Sequence, residues 1–364
     1  MSSVTAEVQQ LIREAGRLPQ GTARIAVLDD AVARADLAGD PDLGFAARTA
    51  LAEAAAFGGA PERLITSFAW LLARMDDRPG HFDERNTLWR YKWAASRLPE
   101  FETIPLAQIA AAIDDLEDRA RRYGAGPRTA AKLRCMAAAQ MGDLDGVARW
   151  LPVWRRGERD QLSDCRACDA NETVEMLLFL GDADAALAEA QPILAGRLGC
   201  REVPHRTYAM LLRPLLTRGE ADLAGQYQRR GYDLIRGNRE LLTSAGEHVA
   251  YLSLVGNLTR AKVLLERHLP WALESRGGLR QLLFLLDARL FLGLSELTSG
   301  GELRVPAALV GADSGPTPLG DVIRALDLVI DRQAAAFDSR NGNVFYAGRR
   351  ALVDRVIEGA ADRS

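Results

Sequence analysis

Apolar side chains recur at spacings of three and four along most of this chain, and a glycine interrupts the pattern roughly every 15 to 20 residues. An apolar stripe with that period is one face of an amphipathic helix, and a glycine at its end is a usual stop. The pattern predicts helices over 4–16, 20–38, 42–57, 61–76, 82–98, 105–123, 127–141, 144–155, 170–180, 183–196, 204–218, 220–236, 240–255, 258–274, 278–296, 319–337 and 342–358. No segment alternates convincingly as a strand would, so an all-α fold is expected.

The helices repeat. Gly142-Asp143-Leu144-Asp145, Gly181-Asp182-Ala183-Asp184, Gly219-Glu220-Ala221-Asp222 and Gly256-Asn257-Leu258-Thr259 follow one another at 39, 38 and 37 residues. Each glycine suits a left-handed helix end, and the polar residue after it suits the start of the next helix. Five residues beyond each glycine stands a small side chain, Val147, Ala186, Ala224 or Ala261, which lets two antiparallel helices approach closely. A two-helix unit of this length cannot bury its own apolar face and must stack on its neighbours.

The run Leu180-Gly181-Asp182 through Ala186 resembles the inter-helix turn and small-residue position of tetratricopeptide (TPR) repeats. The likeness spans residues 124–275; 1–123 and 276–358 share only the helical period. The units are longer than the family's usual repeat, and its early large aromatic is not regularly present. Cys-Arg-Ala-Cys and Val-Pro-His-Arg-Thr-Tyr also resemble segments of TPR-like actinobacterial proteins, from which no function carries over. The resemblance implies a right-handed α-solenoid of TPR-like hairpins: divergent hairpins over 1–123, TPR-like repeats over 124–296, a loop over 297–318 and a capping hairpin over 319–364. The loop assignment follows from Gly300, Gly301, Pro306, Gly311, Gly315, Pro316 and Pro318. The terminal hairpin is either a cap on the last apolar face or a lid over the groove. A stack of this kind is expected to present its groove to a peptide or protein. A ligand-responsive regulator, or an enzyme or enzyme accessory using the groove, are the other readings.

A chain of 364 residues exceeds what one compact core serves, which fits a stack or two domains. Net charge is −3, so no basic excess is available for nucleic acid. Of the 46 basic residues only Lys92, Lys132 and Lys262 are lysines, a bias that reads as a GC-rich genome before any arginine-specific recognition. The polar start of the chain and the lack of a long uncharged apolar run predict a cytoplasmic protein with no membrane span. There, four cysteines are expected to be reduced or metal-bound.

The most specific candidate chemistry is Cys165-x-x-Cys168, Cys200 and His205, within 41 residues. Asp169 and Glu172 have capping-box spacing, which predicts a helix beginning just after Cys168, and Pro204 places His205 in the first turn of another. Neighbouring leading helices would bring the four together as a Cys₃His structural zinc site with no open position. Two other readings remain: small half-buried thiols beside a helix-supporting histidine, and a reversible redox pair.

Asp114-Asp115-Leu116-Glu117-Asp118 matches a magnesium-binding spacing of terpene synthases, but no second metal motif accompanies it and arginines stand at i,i+3 and i,i+4. A solvated charged face is the expected role. Trp89 and Trp93, with Phe82 in the same register and Arg90, Tyr91 and Lys92 interleaved, form a candidate partner-binding patch or, alternatively, core. Trp150, Trp154 and Trp271 also sit at packing spacings. No phosphate loop, zinc-protease motif or catalytic histidine set is present, so no catalytic residue is assigned and the chain reads as leaning away from an enzyme.

Overall fold

A computed structural model of the chain describes residues 3–58, 60–274, 278–298, 300–311 and 315–362. The described residues form eighteen helices: α1 (Ser3–Arg17), α2 (Thr22–Ala38), α3 (Pro41–Gly58), α4 (Pro61–Asp77), α5 (Glu84–Arg97), α6 (Leu106–Arg122), α7 (Arg128–Gln140), α8 (Leu144–Arg156), α9 (Arg166–Phe179), α10 (Ala183–Leu194), α11 (His205–Thr217), α12 (Ala221–Ile235), α13 (Leu242–Leu254), α14 (Leu258–Glu274), α15 (Leu279–Thr298), α16 (Ala307–Val310), α17 (Leu319–Asn341) and α18 (Phe345–Ala361). None of the helices searched is long and apolar enough to cross a membrane. The fold is all-α and helical-repeat-like, compatible with TPR-like architectures.

Two compact units make up the chain. One comprises Met1–Leu133 with Arg156–Ser163, the other Arg134–Arg155 with Asp164–Ser364. In the first unit α1 to α4 pack each on the next, and α5 packs on α6.

In the second unit, the four repeat glycines all adopt positive φ, between 74° and 82°. Each turn carries the same backbone bond, from the residue after the glycine to the carbonyl five residues earlier: Asp143 to Ala138, Asp182 to Leu177, Glu220 to Leu215 and Asn257 to Leu252. That bond satisfies carbonyls a helix end would leave orphaned. Asp143, Asp182 and Asn257 also accept from a backbone N–H three residues on, starting the next helix. The small residues Val147, Ala186, Ala224 and Ala261 are all fully buried. Repeat period, turn and close approach are thus one physical unit used four times.

Within this unit α9 packs on α10, α11 on α12 and α13 on α14. Helices α9, α11, α13 and α15 also pack in succession as one layer, and α10, α12 and α14 each pack on a member of it.

The segment 297–318, expected to be a loop, departs from the helical reading. Strands β1 (Glu302–Val305) and β2 (Gly315–Pro318) pair antiparallel, with Leu303 opposite Thr317, and α16 lies between them in sequence. Prolines and glycines exclude a long helix here, but Glu302-Leu303-Arg304-Val305 alternates, and Leu303 and Val305 are buried. Lys262 of α14 donates to the Glu302 carbonyl, and Glu266 accepts from the Arg304 N–H, which ties the ribbon to the stack.

Candidate metal centre and inner helical face

Helix α9 begins four residues before the expected start. Cys165 is its N-cap, with extended backbone, and its Sγ accepts from the Cys168 N–H at 3.3 Å. A sulfur does here what a serine or aspartate oxygen usually does. Cys168 therefore lies in the first turn, on the same edge as Cys165. The connection after α10 brings Cys200 to that edge, where its N–H donates to the Val203 carbonyl. Cys168 and Cys200 pack against an apolar cluster of Ala167, Ala170, Ile193 and Val203.

The sulfurs of Cys165, Cys168 and Cys200 all lie within 4.8 Å of one another, and Cys168 and Cys200 are 3.5 Å apart. A tetrahedral zinc with Zn–S near 2.3 Å holds its sulfurs about 3.8 Å apart, so the spacing is already close to what a metal needs. Three nearby cysteines could hold a metal. Burial pushes the Cys165 thiol up, but N–H groups of the helix start and hydrogen bonds from the other two thiols outweigh it, and the net shift is down. Burial pushes the Cys168 thiol up, reinforced by both other cysteines and by Glu172. His205 is the first residue of α11, as expected, but does not join the three sulfurs in that group. Its Nδ1 is buried without a hydrogen-bond partner.

Asp164, Asp169 and Glu172 form a second close group beside the thiols. Arg206 of α11 answers part of that charge, at 3.9 Å from Glu172 and 3.0 Å from Glu175. Deeper between the same helices, the Thr207 hydroxyl donates to Asn171 Oδ1 at 2.7 Å, a fully buried bond that fixes α9 against α11.

Farther along the α9–α11–α13–α15 layer, Arg213 of α11 pairs with Asp287 of α15, skipping α13. Helices packed side by side stand about 8–10 Å apart, so the two side chains meet by reaching toward each other over α13. Gly246 of α13 makes the meeting possible, since a Cβ there would come 2.9 Å from Asp287 Oδ2 and 3.3 Å from the Phe284 Cα.

The next residue, Glu247, lies beside this pair, partly open to solvent, and makes no hydrogen bond or ion pair among the described residues. Burial raises its carboxyl to about 8, with Asp287 adding to the shift and Arg213 opposing it. Burial likewise raises Asp287, against Arg213 and Arg349. Nothing in the helical period marks Arg213, Glu247 or Asp287. A signal existed for one of them, because Asp287 is a lone carboxylate in Leu282-Leu283-Phe284-Leu285-Leu286-Asp287-Ala288.

The aromatic patch of the first unit is divided by the structure. Lys92 is 3% exposed, its Nζ donating to the Leu162 carbonyl at 3.0 Å and lying 3.4 Å from the Trp89 ring centroid. It clamps the 156–163 segment and is not a surface residue. Trp93 and Arg90 line a shallow cleft with Glu53, Leu64 and Phe68, and Arg90 pairs with Glu53 at 2.8 Å. Trp89 and Trp93 are each 39% exposed. Phe82 precedes α5 and stacks on Phe45 at 3.9 Å, so it does not continue the stripe. In the acidic run of α6, Asp115 pairs with Arg119 and Asp118 with Arg121, as a solvated face would.

No protein-family model matches the chain, and a search of curated proteins finds no match.

Proposed function

We propose that this chain is a non-enzymatic binding module, a right-handed α-solenoid of TPR-like hairpins whose inner layer α9–α11–α13–α15 receives a peptide or protein segment. The Arg213–Asp287 pair over Gly246, with Glu247 beside it, carries this reading. Stability alone would favour apolar side chains at such a place, because groups buried in a charged network repay their desolvation poorly. A recess with arginines and a carboxyl lacking a partner is suited to a ligand that brings its own charges. Residues of a repeat's inner face can also vary without disturbing its core. On this reading the protein works in the cytoplasm.

Selection of peptides from a random display library against the full chain, followed by calorimetric titration, tests it. Peptides that use the recess should bind R213A and E247A at least about tenfold more weakly than the wild type, with the outer-layer variant R230A unaffected. Equal affinity for all of them would remove the recess from the function.

The thiol cluster supports a companion proposal, a structural zinc held by Cys165, Cys168 and Cys200. His205 would turn in as the fourth ligand, its unpartnered Nδ1 gaining a bond. Such a clip would lock the start of α9 to the connection after α10. Metal analysis of protein purified without a histidine tag should find about one zinc per chain. Less than about a third of an equivalent would end the zinc proposal, and full zinc in H205A would replace His205 with water.

A further inference from the structure

We infer that α18 is a displaceable strap that closes the inner recess of the second unit and must leave before a partner enters. This rests on reading the recess as a binding surface, and it adds the regulation of that surface.

The contacts of α18 join the two ends of the inner layer. Along its length it packs on α15, the last inner helix, and on α17. At its start it reaches the first helices of the unit, some 200 residues away in sequence. Asn343 Nδ2 donates to the Met141 carbonyl at 2.7 Å, and the Tyr346 hydroxyl donates to the Gln140 carbonyl. The Phe345 ring lies 5.7 Å from that of Phe179 at the end of α9. A helix anchored at both ends of that layer spans it, and Arg349 on it acts on the Asp287 carboxylate beneath.

Two glycines act as sockets for the strap. A Cβ on Gly142 would fall 2.4 Å from the Phe345 ring, and one on Gly293 of α15 would fall 2.3 Å from Ile357 Cδ1. Gly142 already needs its positive φ to end α7, so the turn serves the repeat and the strap together.

The anchoring is shallow. Tyr346 is the only buried residue of α18, whereas α13 has ten. Leu352 is 53% exposed. Asp338 caps the helix start by accepting from the Tyr346 and Ala347 N–H groups at 2.9 Å. Much of the remaining hold is ionic: Arg350 with Asp327 of α17 at 2.7 Å and with Asp331 of α17 at 3.6 Å, and Asp354 with Arg289 of α15 at 3.8 Å. The carboxylates of these pairs are a quarter to two-thirds exposed, and ion pairs open to solvent contribute little each. Opening free energy follows buried contact, so α18 should come away while α13 and α15 stay folded.

Native-state hydrogen exchange on the full chain, read by mass spectrometry, is the first arm of the test. Amides of α18 should exchange about 100-fold or more faster than those of α13, and F345A should speed α18 and the Gly142 turn without altering α13. Exchange of α18 in one unit with α13 would overturn the strap and leave the binding reading standing. The second arm follows alkylation of E247C, quantified at that site by mass spectrometry. F345A in the E247C background should raise the rate about tenfold. An unchanged rate would mean that α18 does not cover the recess, which also overturns the proposal. Should F345A fail to fold, G293L, which fills the second socket from the α15 side, is read by the same two measurements.

Discussion

Glu247 and His248 are consecutive on α13 and look out on two different interiors. Glu247 faces the recess with Arg213 and Asp287, partly wetted. His248 is fully buried in the seam between layers, against Gly231 and Tyr232 of α12 and within range of His268 of α14. Neither of its ring nitrogens has a hydrogen-bond partner among the described residues. Next to it, Tyr232 and His268 share a hydrogen bond at 3.1 Å. Burial holds both α13 groups toward their neutral forms: the Glu247 carboxyl rises to about 8, and the His248 imidazole falls to about 3. The seam keeps its polar groups dry and neutral for packing. The recess keeps a charged set where a ligand could reach it.

The sharpest way to break that contrast is to charge the seam. His248→Asp would bury a carboxylate with no cation beside it, and should destabilise the second unit by about 3–5 kcal/mol in urea unfolding. Glu247→Gln, one residue away, mimics a carboxyl that already holds its proton at neutral pH. It should change stability by about 0.5 kcal/mol or less. Comparable losses for the two would mean that the two sides of α13 are equally dry.

Glycines give the same contrast at smaller scale. A Cβ on Gly231 would meet the Tyr208 Cβ at 2.9 Å and the His248 ring at 3.1 Å, atoms held by the seam. Overpacking of that kind costs about 1–3 kcal/mol, against about 0.5–1 gained by replacing a mid-helix glycine, so Gly231→Ala should lose about 1 kcal/mol net. At Gly246 the nearest atom is an oxygen of Asp287, whose arginine partner is 41% exposed and can follow it. The Phe284 Cα at 3.3 Å gives less easily, so Gly246→Ala should lose about 0.5 kcal/mol in calorimetry, less than Gly231→Ala.

Residues that recur were legible in the sequence, and residues that meet once were not. Glycine, polar cap and small residue at a 37–39-residue period located four turns, because each is a local requirement of the backbone. The β1–β2 ribbon escaped because breakers hid a four-residue alternation. The start of α9 escaped because a thiol took the capping place that Asp169 was expected to prepare. Cys165, Cys168 and Cys200 were readable as a group through soft ligands near successive helix starts. The burial of Lys92 was not, since the carbonyl it serves, that of Leu162, lies 70 residues on. The Arg213–Asp287 pair likewise joins residues 74 apart across an intervening helix, which no helical period encodes.

The finest discriminator is pH, because the two interiors pull stability in opposite directions. Folded Glu247 holds its proton to about 8, whereas an unfolded carboxyl releases it near its ordinary 4.5. Its contribution is therefore whole below that value and fades as pH rises through 8. For His248 and His268 the folded values are about 3 and 4, against an ordinary 6.5. The unfolded chain gains those protons first on acidification, so their contribution is whole above 6.5 and fades as pH falls toward 3. Urea midpoints measured from pH 4 to 9 should then show E247Q flattening only the alkaline limb and H268Q flattening only the acid limb. A single substitution that flattened both limbs would show that recess and seam titrate as one network, and the division of α13 into a dry side and a receptive side would be wrong.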